Sequence, residues 1–183
     1  DVPSETATPT EVATQSDSAE ESQPVTDALL AGRSPDDILA AELVGLKGWI
    51  NSEPFTLEEQ RGNVVLVDFW TYTCINCIRT FPALRSWHEK YADQGLVILG
   101  VHAPEFEFEK IRENVVQAAL DNDLGWPIAQ DNDHDTWRAF KNQFWPAKYL
   151  IDKDGYIRYT HFGEGSYAET EEKIQELLAE AGA

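Results

Sequence analysis

Apolar residues are sparse over residues 1–26 and recur with clear periods from residue 27 onward. Val64-Val65-Leu66-Val67-Asp68-Phe69 is β-branched and apolar on both alternations, which predicts a central strand buried on both faces. From Cys77 the apolar positions Ile78, Phe81, Leu84, Trp87, His88 and Tyr91 are spaced by three or four residues, which predicts a helix. Leu96 to Val101 reads as a second buried strand. Phe108, Ile111, Val115, Ala119 and Leu120 mark another helix, followed by a short apolar segment at Pro127-Ile128-Ala129 and a helix near Thr136–Asn142. Ala147 to Ile151, the turn Asp152-Lys153-Asp154-Gly155 and Tyr156 to Phe162 form a hairpin pattern. Ser166-Tyr167-Ala168-Glu169 is positioned to cap a last helix carrying Ile174, Leu177, Leu178 and Ala181.

Upstream of the first strand the pattern is weaker. Ser34-Pro35-Asp36-Asp37 reads as an N-cap, a proline at the first helical position and acids facing the helix dipole. Ile38, Leu39, Leu43 and Val44 would give that short helix one stripe, ended by Gly45. Trp49-Ile50 and Phe55 suggest a small hairpin, and Thr56-Leu57-Glu58-Glu59 a capping box closed by Gly62. The order βα, βα, βα, ββα predicts an α/β sandwich of parallel strands with a closing antiparallel hairpin.

Length and charge narrow the options. A chain of 183 residues supports one domain with an appendage. Thirty-three acidic residues against fourteen Lys and Arg give a net charge of −19, which argues against nucleic acid or anionic lipid as partner. No apolar run approaches the ~20 residues that cross a bilayer. Residues 1–26 hold no aromatic, Lys or Arg, but six acids, nine Ser or Thr and three Pro, so a disordered tether is expected. It is either a plain spacer or a stalk below an extracytoplasmic domain. Methionine is absent and the chain opens Asp1-Val2-Pro3, which suggests a processed product with its signal or anchor upstream.

The only two cysteines, Cys74 and Cys77, stand three apart between a predicted strand and a predicted helix. Random placement would give that offset only about once in a hundred, so the spacing asks for a chemical reason. Cys74 falls at a helix start, where free N–H groups and the dipole favour a thiolate. Cys77 can curl back one turn to meet it. Cys74 would then attack a substrate disulfide, and Cys77 would resolve the mixed disulfide. Structural zinc would need about four ligands, yet no further cysteine exists and His88 is the only histidine near in sequence. Haem attachment needs a histidine where Ile78 stands. A purely structural bridge over so short a loop would stabilise little. No metal and no cofactor beyond the Cys74–Cys77 disulfide is expected.

The stretch Val67-Asp68-Phe69-Trp70-Thr71-Tyr72-Thr73-Cys74-Ile75-Asn76-Cys77 resembles the active-site segment of the thioredoxin superfamily. Pro82 matches the proline of that family's active-site helix, and Trp145-Pro146 its cis-proline loop. The resemblance covers about residues 46–183 and implies a thioredoxin-like fold, a central mixed sheet flanked by helices, within a domain spanning 27–183. Residues 27–62 form an N-terminal extension. A helix-strand insertion at about 106–130 precedes the cis-proline loop and points to the extracytoplasmic TlpA/ResA-like branch. More narrowly, Trp70 to Arg79, His102-Ala103-Pro104-Glu105-Phe106 and Trp145-Pro146-Ala147-Lys148-Tyr149-Leu150 are similar to the soluble domain of DipZ-type proteins.

The resemblance implies roles for named residues. Asp68 would lie buried under the disulfide with a raised pKa and take the Cys77 proton. Pro146, in cis, would expose the Trp145 backbone to a substrate peptide and keep a third thiol or metal away. Trp70 and Trp145 would form an apolar apron around Cys74, unless either is simply core. The family implies protein disulfides as substrates, a membrane electron donor of the CcdA type, an extracytoplasmic location and a monomer, working as a reductant of the cytochrome c maturation type or more generally.

Two other functions stay open. One is a thiol peroxidase of peroxiredoxin-like type, since Thr71 stands three before Cys74, although the proline of that motif is Val67 here. The other is a non-catalytic binding module. Asp131-Asn132-Asp133-His134-Asp135 imitates a calcium loop, but Thr136 and Asn142 replace the required Gly and Glu, so helix capping is the better account. His102 and Glu105, in the loop after the second strand, are expected to be solvated, the alternative being that they reach the active-site face and modulate it.

Overall fold

The computed structural model describes residues 38–180. The expected tether at 1–26, the Ser34 cap and Ala181 lie outside the described residues. Seven strands form one mixed sheet: β1 (Ile38–Leu39), β2 (Lys47–Ile50), β3 (Val64–Trp70), β4 (Leu96–His102), β5 (Ile128–Gln130), β6 (Ala147–Ile151) and β7 (Tyr156–Phe162). Their spatial order is β1-β7-β6-β3-β4-β5-β2. β3, β4 and β5 run parallel, whereas β6, β7 and β1 add antiparallel on one side and β2 on the other. Four α-helices join them: α1 (Ile75–Tyr91), α2 (Arg112–Asp121), α3 (Asp135–Ala139) and α4 (Tyr167–Ala179). No helix among the described residues is long and apolar enough to cross a membrane.

All seven residues of β3 are buried, because both faces of the sheet are covered. Val64, Leu66 and Trp70 point into a core with Leu84 and Trp87 of α1, Val115 of α2 and Ile174 of α4. Val65, Val67 and Phe69 point into a second core with Phe140 and Tyr149. Alternation therefore puts Asp68 on the face of α1. The carboxyl ends of β3 and β4 and the start of β6 meet at one end of the sheet, with Phe69 opposite Ala147 and Trp70 opposite His102. Such an end, where loops leave in different directions, is where α/β sheets carry ligands.

The segment before β3 departs from the sequence pattern. Ile38 and Leu39 are not helical but pair with Ile157 and Tyr156 of β7. The backbone finds its partners far along the chain: Ala40 N–H donates to Gly155 O (2.9 Å), and Val44 N–H to Thr136 Oγ1 (2.9 Å). Trp49 and Ile50 form no hairpin with Phe55; they belong to β2, which pairs with β5, and only the rings of Trp49 and Phe55 meet, at 4.9 Å. The Thr56–Glu59 box does form, with Thr56 N–H to Glu59 Oε2 at 2.8 Å and Glu59 N–H to Thr56 Oγ1 at 3.1 Å, but it closes turns instead of a helix. Ser166 precedes α4 with φ 46° and makes no side-chain cap.

Candidate active site

β3 delivers the chain through Thr71, Tyr72 and Thr73 to Cys74, which is the N-cap of α1 in extended conformation (φ −74°, ψ 105°). Its sulfur accepts the Cys77 N–H at 3.2 Å, taking the place of the oxygen that usually caps a helix. No acid stands in the first turn of α1 to oppose a negative sulfur. Both cysteines are free thiols; Cys74 is partly exposed and Cys77 buried. The hydrogen bond from the Cys77 thiol holds Cys74 down to about 7, against the opposing effect of its own burial and of Glu105 nearby. Burial pushes Cys77 far up, and its bond to Cys74 adds to the effect, so the second thiol keeps its proton. One sulfur is ready to attack while the other waits as an acid.

Asp68 is 1% exposed and pairs with Lys148 directly across from it on β6, Oδ1 to Nζ 3.0 Å. Neither atom has another partner among the described residues. Burial pushes the Asp68 carboxyl up, and Lys148 pulls against it. Asp68 is close enough to Cys77 to add to the rise of that thiol. Lys148, only 2% exposed, carried no warning in the sequence beyond one cation inside an apolar run.

The Trp145–Pro146 peptide is cis. Pro146 is buried, and Trp145, half-buried, donates its indole N–H to Ala103 O at 2.9 Å and packs on Trp137 at 4.2 Å. Trp70 does not belong to an apron. It is 1% exposed, edge-on to Phe81 (5.3 Å) and His102 (5.0 Å), so it is core because the alternation of β3 turns it inward.

The loop after β4 holds what the sequence reading missed. His102 is not solvated; it is the buried last residue of β4, with Nε2 3.3 Å from Thr71 Oγ1 and its ring stacked on Tyr72 at 5.6 Å. Burial pushes it down to about 4, so it is neutral at pH 7. Glu109, fully buried, accepts from the Thr73 hydroxyl and from the N–H groups of Glu105 (2.6 Å) and Phe106 (3.0 Å). Burial would raise that carboxyl, but the bonds from Thr73 and the loop outweigh it and hold it below its ordinary range. A buried carboxylate thus ties the residue before Cys74 to the neighbouring loop. Glu105 itself is exposed. The Asp131 carboxylate caps the first turn of α3, accepting from Asp135 N–H (2.8 Å) and Trp137 N–H (2.7 Å). Among the described residues no cluster of three or more His, Cys, Asp or Glu is placed to hold a metal ion.

The model of the AhpC/TSA family matches residues 40–160, which contain every site residue described above. The chain belongs to the AhpC/TSA family. YkuV of Bacillus subtilis, a thiol-disulfide oxidoreductase, is 34% identical over 140 residues, 76% of this chain and 93% of YkuV. The protein DipZ of Mycobacterium bovis is 46% identical over 145 residues, 78% of this chain but 21% of DipZ, so the chain spans about a fifth of that relative's length. A solved thioredoxin-like protein in its oxidized form superposes with a TM-score of 0.70 at 31% identity, covering 77% of this chain and 95% of that one. The fold is thioredoxin-like, as the Trp70–Cys77 stretch and the Trp145-Pro146 pair led us to expect.

Proposed function

We propose that this chain is a thiol–disulfide oxidoreductase that reduces protein disulfides through Cys74 and Cys77. The Cys74 thiolate attacks one sulfur of a substrate disulfide, forming a mixed disulfide and releasing the other substrate sulfur as thiolate. Cys77 then gives up its proton and attacks Cys74. The Cys74–Cys77 bond forms, the second substrate sulfur leaves, and two electrons have passed from protein to substrate. Asp68, on the same face of the sheet and with a raised pKa, is the base we assign to the Cys77 proton; Lys148 keeps it from becoming a permanently neutral acid. We assign pairing with a substrate strand to the backbone of Trp145, the residue before Pro146. The electrons ride on the sulfur pair, with no resident cofactor.

The Cys74 thiol, lowered to about 7, supports a direction of flow. A thiol near 7 belongs with thioredoxin, and one near about 3.5 with the strong oxidant DsbA, because an over-stabilised thiolate favours the reduced protein. The reading therefore favours a reductant. It further puts the domain outside the cytoplasm as a monomer, drawing electrons from a membrane donor of the CcdA type and serving cytochrome c maturation or exported thiols generally. These finer points rest on the resemblance to the TlpA/ResA-like branch and to DipZ-type proteins.

The test is the Cys74–Cys77 midpoint potential in thiol–disulfide buffers, with insulin reduction by wild type and Cys74→Ser. A midpoint near about −270 mV, with activity lost in the variant, is expected. A midpoint near about −120 mV would reverse the direction, and equal activity of the two proteins would leave only a binding module.

A further inference from the structure

The loop from Glu105 to Phe108 alternates exposed acid and exposed ring: Glu105, Phe106, Glu107, Phe108. Phe106 and Phe108 are 49% and 51% exposed and lie face to face, 5.6 Å apart and 3° from parallel. Two large rings held open to water are costly, and α2 does not need them, since Val115 and Ala119 bury its inner face. The loop is also fixed at both ends. Ala103 O is held by the Trp145 indole, and Phe108 O accepts from the Tyr72 hydroxyl at 3.2 Å. Glu109 ties the loop's N–H groups to Thr73 from below. Packing alone would be served as well by an apolar residue at that position. What a carboxylate adds is a rigid join between this loop and the approach to Cys74.

The surface so presented adjoins Tyr72, two residues before the sulfur that reacts. Tyr72 and Cys74 pack on the same core, and Tyr72 meets the Phe108 ring at 6.4 Å. Glu107 is paired with Lys110 at 2.7 Å, whereas Glu105 makes no ion pair among the described residues. Glu105, at the head of this loop, is near enough to Cys74 for its charge to oppose the thiolate. An occupant should therefore bring one apolar side chain and one cation.

We propose that the Glu105–Phe108 loop docks the polypeptide segment flanking the substrate's disulfide, taking an apolar side chain on the Phe106–Phe108 stack and a lysine or arginine beside Glu105. The inference rests on the oxidoreductase reading and adds to it a substrate preference.

The test compares peptide disulfides of equal length whose cysteine is flanked by Leu and Lys, by Ser and Lys, or by Leu and Glu, with hydroxyethyl disulfide as a featureless substrate and dithiothreitol as electron source. Wild type should favour Leu–Lys over Ser–Lys by about tenfold in kcat/KM, mostly through KM. It should favour Leu–Lys over Leu–Glu by about two- to fivefold. Phe106→Ser with Phe108→Ser should erase the first ratio, and Glu105→Gln the second. Leu120→Ser, an exposed apolar residue on α2, should keep both. Ratios within one protein do not depend on how much of it is folded. Turnover of all substrates without preference overturns this inference alone. A wild type inert toward every disulfide overturns the oxidoreductase reading with it.

Discussion

Cys74 and Cys77 sit one helical turn apart, yet one faces water and the other the core under α1. The partly exposed sulfur gathers donors, from the Cys77 thiol and from backbone N–H groups of the first turn, and so ionises early. The buried one meets desolvation first and the nearby Asp68 charge as well, so it does not. The asymmetry makes the roles of attacker and resolver a property of depth. It also gives a pH dependence with a definite sign. Cys74 is a thiolate above about 7 and a thiol below it, so its alkylation rate by iodoacetamide should climb through a midpoint near 7. Cys77→Ala removes the largest stabilising donor and should move that midpoint upward, toward the ordinary thiol range. A midpoint unchanged in the variant would mean that the helix start alone lowers the pKa, and that Cys77 contributes nothing until the mixed disulfide has formed.

At the level of elements, legibility followed the range of the forces involved. β3, α1, β4 and the β6–β7 hairpin were plain in the sequence because each carries its own pattern: a doubly apolar run, a three-to-four spacing, a turn with Gly155. The active-site thiols were plain for the same reason. Ile38 to Val44 misled because local capping and an apolar stripe favour a helix, whereas the partners of that backbone lie more than ninety positions away, in the β7 hairpin and in α3. The burial of Glu109, His102 and Lys148 was not legible for a related reason. Their importance comes from burial against residues distant in sequence, and a Glu in a charged stretch looks like surface. Thr136 tests this account. Its hydroxyl accepts the Val44 N–H and donates to Val44 O at 2.6 Å, joining the segment before β2 to α3. Thr136→Val keeps the shape and leaves both backbone groups unpaired, so urea unfolding should show a loss of about 1–3 kcal/mol. Insulin reduction should be unchanged, because Cys74 has no part in that contact. A loss below about 0.5 kcal/mol would show that water replaces the hydroxyl and that the segment is held by its apolar side chains instead.

The whole molecule carries a net charge of −19, and the site stands in the field of that charge. Such a field does not alter the chemistry of sulfur exchange, but it changes how often a charged partner arrives in reach of Cys74. A disulfide on a basic protein should be reduced fastest at low salt. Its kcat/KM should fall as the Debye length shrinks from about 30 Å at 0.01 M to about 3 Å at 1 M. An acidic protein disulfide should respond with the opposite sign, because salt relieves the repulsion that keeps it away. Hydroxyethyl disulfide, with no charge, should be indifferent, which separates steering from any effect of salt on the Cys74 thiolate itself. Parallel salt curves for all three substrates would show that the acidic surface serves solubility alone, and that Glu105 acts only at contact distance.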